Sequence, residues 1–272
     1  MKITVLVENT TKDAALKPIH GLSLYIETAK HKVLFDLGPD DTYLDNAKKL
    51  GIDLAEVDTV VISHGHKDHG GALSKFLNVN SKAKIYLHKQ AFESYYIKVL
   101  LFFKVSIGLD KNLAGNDRLI LVDGTTQIDD ELFLFSDVKE RFDTKSNCAL
   151  LKKTASGYER DDFAHEQNLL VNAQGKVALF SGCSHKGIAN IVRTAKKHTP
   201  SIDAVFGGFH LYNPAKKTAE PPEVVQGLVS QLSEHNIVFY TGHCTGTKAL
   251  EQMRSSMGEK VQPLSAGLTI EM

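Results

Sequence analysis

Residues 63–71 constrain this chain more than any other feature, because they concentrate metal-binding side chains in one short loop. Four such side chains follow the apolar run 60–62, namely His64, His66, Asp68 and His69. Imidazole and carboxylate groups are ligands that zinc, iron and manganese accept. Glycines at positions 65, 70 and 71 relax the backbone, so that one loop can aim several ligands at a shared point. The segment therefore predicts a metal site at the end of a strand.

The spacing within this loop predicts two ions. Side chains alternate along an extended chain, so His64 and His66 project to the same side and can grip one ion together. Asp68 and His69 come after the turn and point elsewhere, which predicts a second ion close to the first. The alternative is a polar loop whose histidines are only solvated. It is disfavoured, because the pattern H-x-H-x-D-H after an apolar run is far more specific than a lone histidine.

The composition points to a compact protein that acts on small molecules. The chain has 272 residues, with 32 Lys plus Arg balanced by 32 Asp plus Glu. This length predicts a single domain over residues 1–272, and the even charge argues against a nucleic-acid partner. Cys148, Cys183 and Cys244 form an odd set without repeated spacing, which favours a reducing compartment. The first residues follow a strand pattern without the order of a secretory signal, so we expect a cytoplasmic protein.

An apolar patch at residues 95–105 interrupts the pattern of alternating elements. Two lysines break it, and it is shorter than the about 20 residues needed to span a bilayer, so it is not expected to anchor the chain in a membrane. The first interpretation is a helix packed on the core. The alternative is a lid over the site or the contact surface of a homodimer, since large apolar patches on soluble proteins mark contacts. Either way, an inserted element is predicted near residues 89–117.

The remaining chain alternates strand-like and helical runs. Predicted strands are residues 3–8, 22–27, 32–36, 57–62, 83–88, 119–122, 131–135, 168–172, 176–180, 203–206, 237–240 and one at the C-terminus. Predicted helices are residues 41–50, 71–77, 186–197, 223–234 and 247–256. Residues 173–175 suggest a hairpin turn, and residues 143–162 a polar stretch without regular structure. Two αβ halves, each with helices on one side of its sheet, predict an α/β fold of four layers.

The motif resembles that of the metallo-β-lactamase superfamily, since Phe35-Asp36-Leu37-Gly38 precedes H-x-H-x-D-H by about 25 residues. Four further segments, residues 165–168, 181–188, 207–211 and 241–246, are similar to one subgroup. Its members are often labelled 7,8-dihydropterin-6-yl-methyl-4-(β-D-ribofuranosyl)aminobenzene 5'-phosphate synthase. The resemblance extends over residues 2–271. It implies an αββα sandwich with two divalent metal ions at one edge, zinc being favoured and manganese or iron the alternatives.

Later loops are expected to complete the metal site. The resemblance implies His243 as a ligand, because a Gly-His element after a late strand supplies the last ligand of the superfamily. Cys183 stands where many members have a bridging Asp, and is either a thiolate ligand or a small buried residue. His185 and His165 compete for one vacancy on the first ion, and both stay open here. Our working assignment is His64, His66 and His185 on one ion, and Asp68, His69 and His243 on the other.

Other residues are predicted to orient ligands or to bind substrate. Asp36 is expected to fix a ligand histidine through its second ring nitrogen, and His20 is a weaker candidate for the pocket. Asp68 would orient a water molecule and take its proton. His210, after two glycines, would face the substrate and donate to an anionic oxygen. Lys186, at the start of a helix with free backbone donors, suggests a phosphorylated substrate.

Three classes of function are compatible with this site in principle. Metal-assisted hydrolysis of a phosphoester, lactone or thioester is favoured. A ligand-binding or sensor protein without turnover is one alternative, and the synthase activity in the subgroup label is another. A di-iron redox centre is disfavoured, because that class presents Glu where this chain has His66 and carries a flavin domain for which no residues are left over.

Overall fold

The computed structural model describes residues 1–99, 103–214 and 216–272. Within these ranges the strands are β1 (Lys2–Val7), β2 (Ser23–Glu27), β3 (Lys32–Phe35), β4 (Thr59–Val61), β5 (Lys84–His88), β6 (Tyr95–Lys98), β7 (Lys104–Ser106), β8 (Leu119–Val122), β9 (Thr125–Gln127), β10 (Leu132–Phe135), β11 (Leu150–Thr154), β12 (Gly157–Arg160), β13 (Asn168–Ala173), β14 (Lys176–Phe180), β15 (Ala204–Gly207), β16 (Tyr212–Asn213), β17 (Thr218–Ala219), β18 (Val238–Thr241), β19 (Val261–Pro263) and β20 (Thr269–Glu271). The helices are α1 (Thr42–Lys49), α2 (Lys67–Gly70), α3 (Leu73–Val79), α4 (Ile188–Ala195), α5 (Pro222–Ser233) and α6 (Thr247–Met257). None of these helices is long and apolar enough to cross a membrane.

Two seven-stranded sheets organise the chain. The first has the order β20-β1-β2-β3-β4-β5-β8, and the second the order β19-β18-β15-β14-β13-β10-β9. In the first sheet, the neighbours β3, β4, β5 and β8 are parallel. In the second sheet, the neighbours β14, β15, β18 and β19 are parallel. The C-terminal strand completes the first sheet, since Lys2 pairs with Glu271. Strands from the beginning and the end of the chain therefore belong to the same sheet.

The two sheets pack face to face, with helices on both outer sides. A buried cluster between them joins side chains of the first sheet, such as Phe35, to those of the second, such as Phe180. Their rings are 5.9 Å apart. Helices α1 and α3 cover the first sheet, and α4, α5 and α6 cover the second. Because both faces of the sheets are covered, the central strands are continuous apolar runs, such as KVALF in β14. The predicted four-layer α/β sandwich is confirmed.

Most of the predicted elements lie where the sequence patterns placed them. Helix α5 illustrates the reason: Pro222 occupies its first turn, and its buried side chains recur at helical spacing, namely Val225, Leu228, Val229 and Leu232. The hairpin turn at residues 173–175 is also present, because β13 and β14 pair through it. Gln174 and Gly175 there have positive φ angles of 55° and 75°.

The inserted element is a hairpin, so the predicted helix at residues 95–105 is wrong. Tyr95–Lys98 and Lys104–Ser106 form antiparallel strands, and residues 100–102 of the predicted helix lie outside the described residues. Aromatic and β-branched residues such as Tyr95, Tyr96 and Ile97 favour a strand once a partner is available. That partner is β11, whose Leu150 pairs with Ile97. The apolar run was ambiguous because its partner lies about 50 residues away in sequence.

The polar stretch at residues 143–162 contains two strands that the sequence analysis missed. Strands β11 and β12 pair with each other and join the inserted hairpin in a sheet of order β12-β11-β6-β7. Charged side chains on β12 are exposed, so the stretch lacks the apolar signal of a core strand. This small sheet contributes Ile97 and Leu150 to the wall of the cavity described below.

Candidate metal centre

The loops of the candidate site all begin where strands end, at one edge of the stacked sheets. They follow β3 (Asp36), β4 (residues 62–66), β14 (residues 181–187), β15 (residues 208–211) and β18 (Gly242 and His243). In parallel sheets the carboxyl ends of neighbouring strands lie together, and ligands bind outside them. The fold therefore brings residues separated by up to 207 positions, Asp36 and His243, to one place.

Several loop residues have a backbone conformation that side chains other than glycine rarely adopt. The φ angles are 63° at Asp36, 55° at Ser184, and 47° at both His210 and His243. Such left-handed residues cost about 1–3 kcal/mol each and persist where surrounding structure holds them, often at functional sites. Their clustering marks this edge as the functional one.

The first ligand group consists of His64, His66 and His185. Their ring centroids lie 4.6 Å apart for His64 and His66, 4.9 Å for His64 and His185, and 5.1 Å for His66 and His185. The Nε2 atom of each ring is buried and has no hydrogen-bond partner among the described residues. Leaving a buried polar atom unpaired costs about 1–3 kcal/mol. His66 Nε2 also lies 3.8 Å from the buried Asp161 carboxylate, beyond hydrogen-bond distance. Three buried imidazole nitrogens without a hydrogen bond fit a bound cation, with Asp161 on the His66 side of the group.

The second ligand group consists of Asp68, His69 and His243. His243 Nε2 lies 3.2 Å from His69 Nε2 and 3.3 Å from Asp68 Oδ2. The Cys183 Sγ atom is 3.2 Å from His69 Nε2, and the ligand atoms of these four residues all lie within 4.8 Å of one another. A carboxylate and two imidazoles at this spacing match the ligand types that zinc and related ions accept.

Hydrogen bonds from the second ring nitrogen orient four of these histidines. Nδ1 of His69 donates to Asp36 (2.6 Å), and Nδ1 of His243 donates to Asn9 (3.2 Å). Nδ1 of His185 donates to Asn147 (2.9 Å), and Nδ1 of His64 donates to the Ser63 hydroxyl (2.8 Å). Each bond leaves Nε2 facing the site, as in metal centres whose ligands are held by outer partners. Asp36 has the orienting role expected from the sequence, whereas Asn9 and Asn147 were missed.

His165 and His185 differ in which of their ring nitrogens are hydrogen-bonded. Its Nδ1 atom accepts the backbone N–H of Gly65 at 2.9 Å, and its Nε2 donates to Asp161 at 3.1 Å. Both nitrogens are thus engaged within the protein. His185 keeps a free Nε2, and its ring stacks on Phe163 with centroids 4.4 Å apart. Of the two competing residues, the geometry favours His185 as the ligand, with His165 supporting the loop that carries His64 and His66.

Two buried carboxylates hold the ligand loops, and the sequence analysis did not single them out. Glu166 accepts the backbone N–H groups of His185 at 2.6 Å and of Lys186 at 3.0 Å. Burial raises the pKa of Glu166. Glu8, at the end of β1, accepts the backbone N–H of His243. Neither residue carries a sequence signal for this role, because each binds backbone groups of a loop that comes later in the chain.

Lys186 stays a prediction as a substrate-binding residue, and the backbone donors of residues 185–187 are not free to assist it. The backbone donors expected to be free at the start of α4 are occupied, since those of His185 and Lys186 bind Glu166 and that of Gly187 binds the Ser184 carbonyl at 2.8 Å. Lys186 is also absent from the described residues that line the cavity. The charged side chain of Lys67 lines it instead.

A cavity of about 370 Å³ opens above the two ligand groups. Its apolar wall is formed by Pro39, Ile97, Ile107, Leu150 and Pro214. His210 faces it with an unpaired Nδ1 atom, 7% of the residue being exposed, and its ring lies 4.3 Å from that of His185. His20 also lines the cavity, with its Nε2 3.5 Å from Asp68 Oδ2. Burial lowers the pKa of His20 to about 4.

Charges within the second ligand group shift its pKa values in opposite directions. Burial by itself would raise the pKa of Asp68, but the charges of His69 and His243 outweigh it and hold this pKa well below its usual range. Burial by itself would lower the pKa of His69, but Asp36 and Asp68 outweigh it and raise this pKa to about 9. A cation that binds His69 Nε2 must therefore displace a proton.

Comparisons with known proteins agree with this fold. A sequence model of the metallo-β-lactamase superfamily matches residues 16–141. The crystal structure of Tm1679, described as a metal-dependent hydrolase of the β-lactamase superfamily, is 28% identical with a TM-score of 0.82, over 100% of this chain and 99% of that one. Zinc-bound PqqB from Methylobacterium extorquens, 13% identical, superposes with a TM-score of 0.62 over the full length of both chains, and so shares the fold.

The protein therefore has the metallo-β-lactamase fold, with a candidate metal site at the edge where this fold gathers its strand ends. Among curated proteins, it is 27% identical to the 7,8-dihydropterin-6-methyl-4-(β-D-ribofuranosyl)-aminobenzene-5'-phosphate synthase of Methanocaldococcus jannaschii. This match covers 93% of the chain and 90% of that relative.

Replacing Asp36 with asparagine is expected to weaken metal binding by about 10–100-fold, the usual effect of losing the partner that orients a ligand. The Asp36 carboxylate accepts bonds from the Ser63 backbone, the Ser63 hydroxyl and His69 Nδ1, at 2.7, 2.8 and 2.6 Å. Competition with a metal chelator measures the affinity. Asp45→Asn is the control, because that carboxylate only pairs with Lys17 in solvent. Equal affinities in the two variants would contradict an orienting role.

Proposed function

We propose that this protein is a metal-dependent hydrolase whose dinuclear centre activates water against a small ester or phosphorylated substrate. The observation that carries the proposal is the first ligand group, with three buried and unpaired imidazole nitrogens directly beside the Asp68, His69 and His243 group. The similarity to a metal-dependent hydrolase with 28% identity over the whole chain supports it.

His64, His66 and His185 would hold one ion, and Asp68, His69 and His243 the other. Two divalent ions in such a site supply Lewis acidity and lower the pKa of water to about 7. Zinc is favoured, because imidazole, carboxylate and a nearby thiol are its ordinary ligands, and manganese or iron are the alternatives.

The chain's own residues would then position the water and stabilise charge. The ionised Asp68 carboxylate can accept a hydrogen bond from the attacking water and receive its proton. His210 lines the cavity, and its Nδ1 has no hydrogen-bond partner among the described residues. Its imidazole would donate to the oxygen on which negative charge develops. One well-placed donor of this kind contributes about 3 kcal/mol to catalysis. The apolar wall would exclude bulk water and strengthen these interactions.

The dimensions of the cavity support a small-molecule substrate. A volume of about 370 Å³ is at the lower end of the range for small-molecule pockets. Phosphoesters, lactones and thioesters all present the oxygen that His210 would stabilise. Lys67 is available for a negatively charged substituent.

A second candidate function is the synthase reaction that names the relative from Methanocaldococcus jannaschii. Its support is the 27% identity over nearly the full length of both chains. The two candidates share the metal centre and differ in the fate of the activated substrate, which water captures in a hydrolase and a second substrate captures in a synthase.

Metal analysis combined with a substrate screen tests the proposal. We expect two ions per chain, together with hydrolysis of at least one class among phosphodiesters, phosphomonoesters, lactones and thioesters. This activity should disappear after chelation and return when zinc is added. Two bound ions without hydrolysis of any class would contradict the hydrolase and favour the second candidate. Fewer than two ions would contradict the dinuclear centre itself.

A further inference from the structure

One sulfur atom is common to both ligand groups. Cys183 Sγ lies within 4.8 Å of the ligand nitrogens of His64 and His185 in the first group. It also lies within 4.8 Å of the ligand atoms of Asp68, His69 and His243 in the second, being 3.2 Å from His69 Nε2. Zinc binds sulfur at about 2.3 Å and imidazole nitrogen at about 2.0 Å, so small side-chain adjustments bring this sulfur into bonding distance of an ion in either group.

The loop that carries Cys183 is held tightly against the metal-binding loop. A Cβ atom added to Gly182 would overlap the Ser63 hydroxyl and lie 2.9 Å from His64 Nδ1. Ser184, the next residue after Cys183, has a positive φ of 55°, and its hydroxyl donates to the Ser181 hydroxyl at 2.9 Å. The backbone on both sides of Cys183 is therefore held in place, and the residue is only 3% exposed.

We propose that the Cys183 thiolate bridges the two ions of the centre, and that it makes the site selective for thiophilic divalent cations. The inference rests on the proposed dinuclear centre. Independent support comes from the unpaired and more than nine-tenths buried Nε2 atoms of His64 and His185, which lie in the same group as this sulfur. The thiol releases its proton to solvent when it coordinates. A soft sulfur ligand favours zinc, cobalt and cadmium over manganese and magnesium.

The neighbouring Cys244 provides a matched control. Its Sγ atom lies within 4.8 Å of Cys183 Sγ, but it accepts the backbone N–H of His210 at 3.3 Å and contacts the Cys183 carbonyl oxygen at 3.7 Å. In the described part of the chain it groups with Cys183 and His210 only. Both cysteines are buried. Of the two, Cys183 lies close to the ligand atoms of both groups, whereas Cys244 does not.

Cadmium-113 NMR of the full-length protein, stripped of metal and loaded with two equivalents of ¹¹³Cd²⁺, tests the bridge. For the wild-type protein we expect two resonances, both shifted downfield by sulfur ligation. In the Cys183→Ser variant, both resonances should move upfield. Cys244→Ser should leave both near their wild-type positions. One sulfur-shifted resonance would overturn the bridge in favour of a terminal thiolate, and none would overturn coordination by Cys183.

The same spectra separate this proposal from the proposed function. Two resonances without sulfur shifts leave the dinuclear centre intact and overturn only the bridge, whereas a single bound ion overturns both. The wild-type and Cys244→Ser spectra together are decisive, because two sulfur-shifted resonances that persist without the Cys244 thiol are assigned to Cys183. The test therefore does not depend on folding of the Cys183→Ser variant. Cys183→Asp supplies a harder bridging ligand, and we expect it to gain manganese affinity relative to cadmium. An unchanged preference would overturn the proposed selectivity.

Discussion

Replacing His66 with alanine is expected to remove bound metal and hydrolytic activity together. The substitution deletes one of the three unpaired Nε2 atoms of the first ligand group. Loss of a partner that merely orients a ligand costs about 10–100-fold in affinity, so we expect loss of the ligand itself to cost more than about 100-fold. Elemental analysis after dialysis, together with turnover of the substrate found in the screen, measures both effects.

His235→Ala is the control for this experiment. His235 lies just beyond the end of α5, where its half-buried ring contacts Lys196. It is not among the described residues that line the cavity. This variant should keep two ions and full activity. A His66→Ala protein that is folded by circular dichroism, binds two ions and remains active would contradict the assignment of the first ligand group.

The largest effect on stability is expected from replacing Gly207 with alanine. Gly207 ends β15 with a positive φ of 147°, and an added Cβ would overlap the Ser181 carbonyl oxygen and lie 2.9 Å from its carbon. Both contacts are backbone atoms of the loop that leads to Cys183, so neither can rotate away. We expect the free energy of unfolding to fall by about 3 kcal/mol or more, from overpacking and backbone strain. Urea denaturation measures it.

Gly227→Ala is the matched control, since it adds the same methyl group in the middle of α5. Apart from the adjoining helix backbone, no atom of the described residues lies within 4 Å of the position that its Cβ would take. Alanine is a better helix former than glycine, so this variant should be more stable by up to about 1 kcal/mol. If both variants had the same unfolding midpoint as the wild type, the close approach of β15 to the Ser181 loop would be contradicted.

The layered fold was predictable because its signals are local. Alternating strand and helix patterns, and continuous apolar runs such as KVALF in β14, follow from burial on both sides of each sheet. The inserted hairpin was not predictable in this way. Tyr95, Tyr96 and Ile97 form a strand because β11 pairs with them, and β11 itself lies in a stretch whose polar sequence hides it.

Some residues of the candidate site could likewise be identified from local sequence patterns, and others could not. The loop from His64 to His69 could be identified from its spacing, because the positions of those ligands depend on neighbouring residues alone. Glu8, Asn9, Asn147 and Glu166 could not, since each acts on a ligand loop that is distant in sequence.

The sequence by itself determined the class of fold and the chemistry of residues 64–69, because hydrophobic periodicity and short-range spacing are properties of adjacent residues. Only the tertiary structure showed that both ring nitrogens of His165 are hydrogen-bonded while His185 Nε2 is not, and that the backbone donors beside Lys186 are occupied. Both outcomes depend on which polar atoms are already hydrogen-bonded: Gly65 and Asp161 occupy the His165 ring, and Glu166 occupies the donors. Which polar atoms of a buried group are already hydrogen-bonded is a property of the folded chain, because the partners come from distant parts of the sequence.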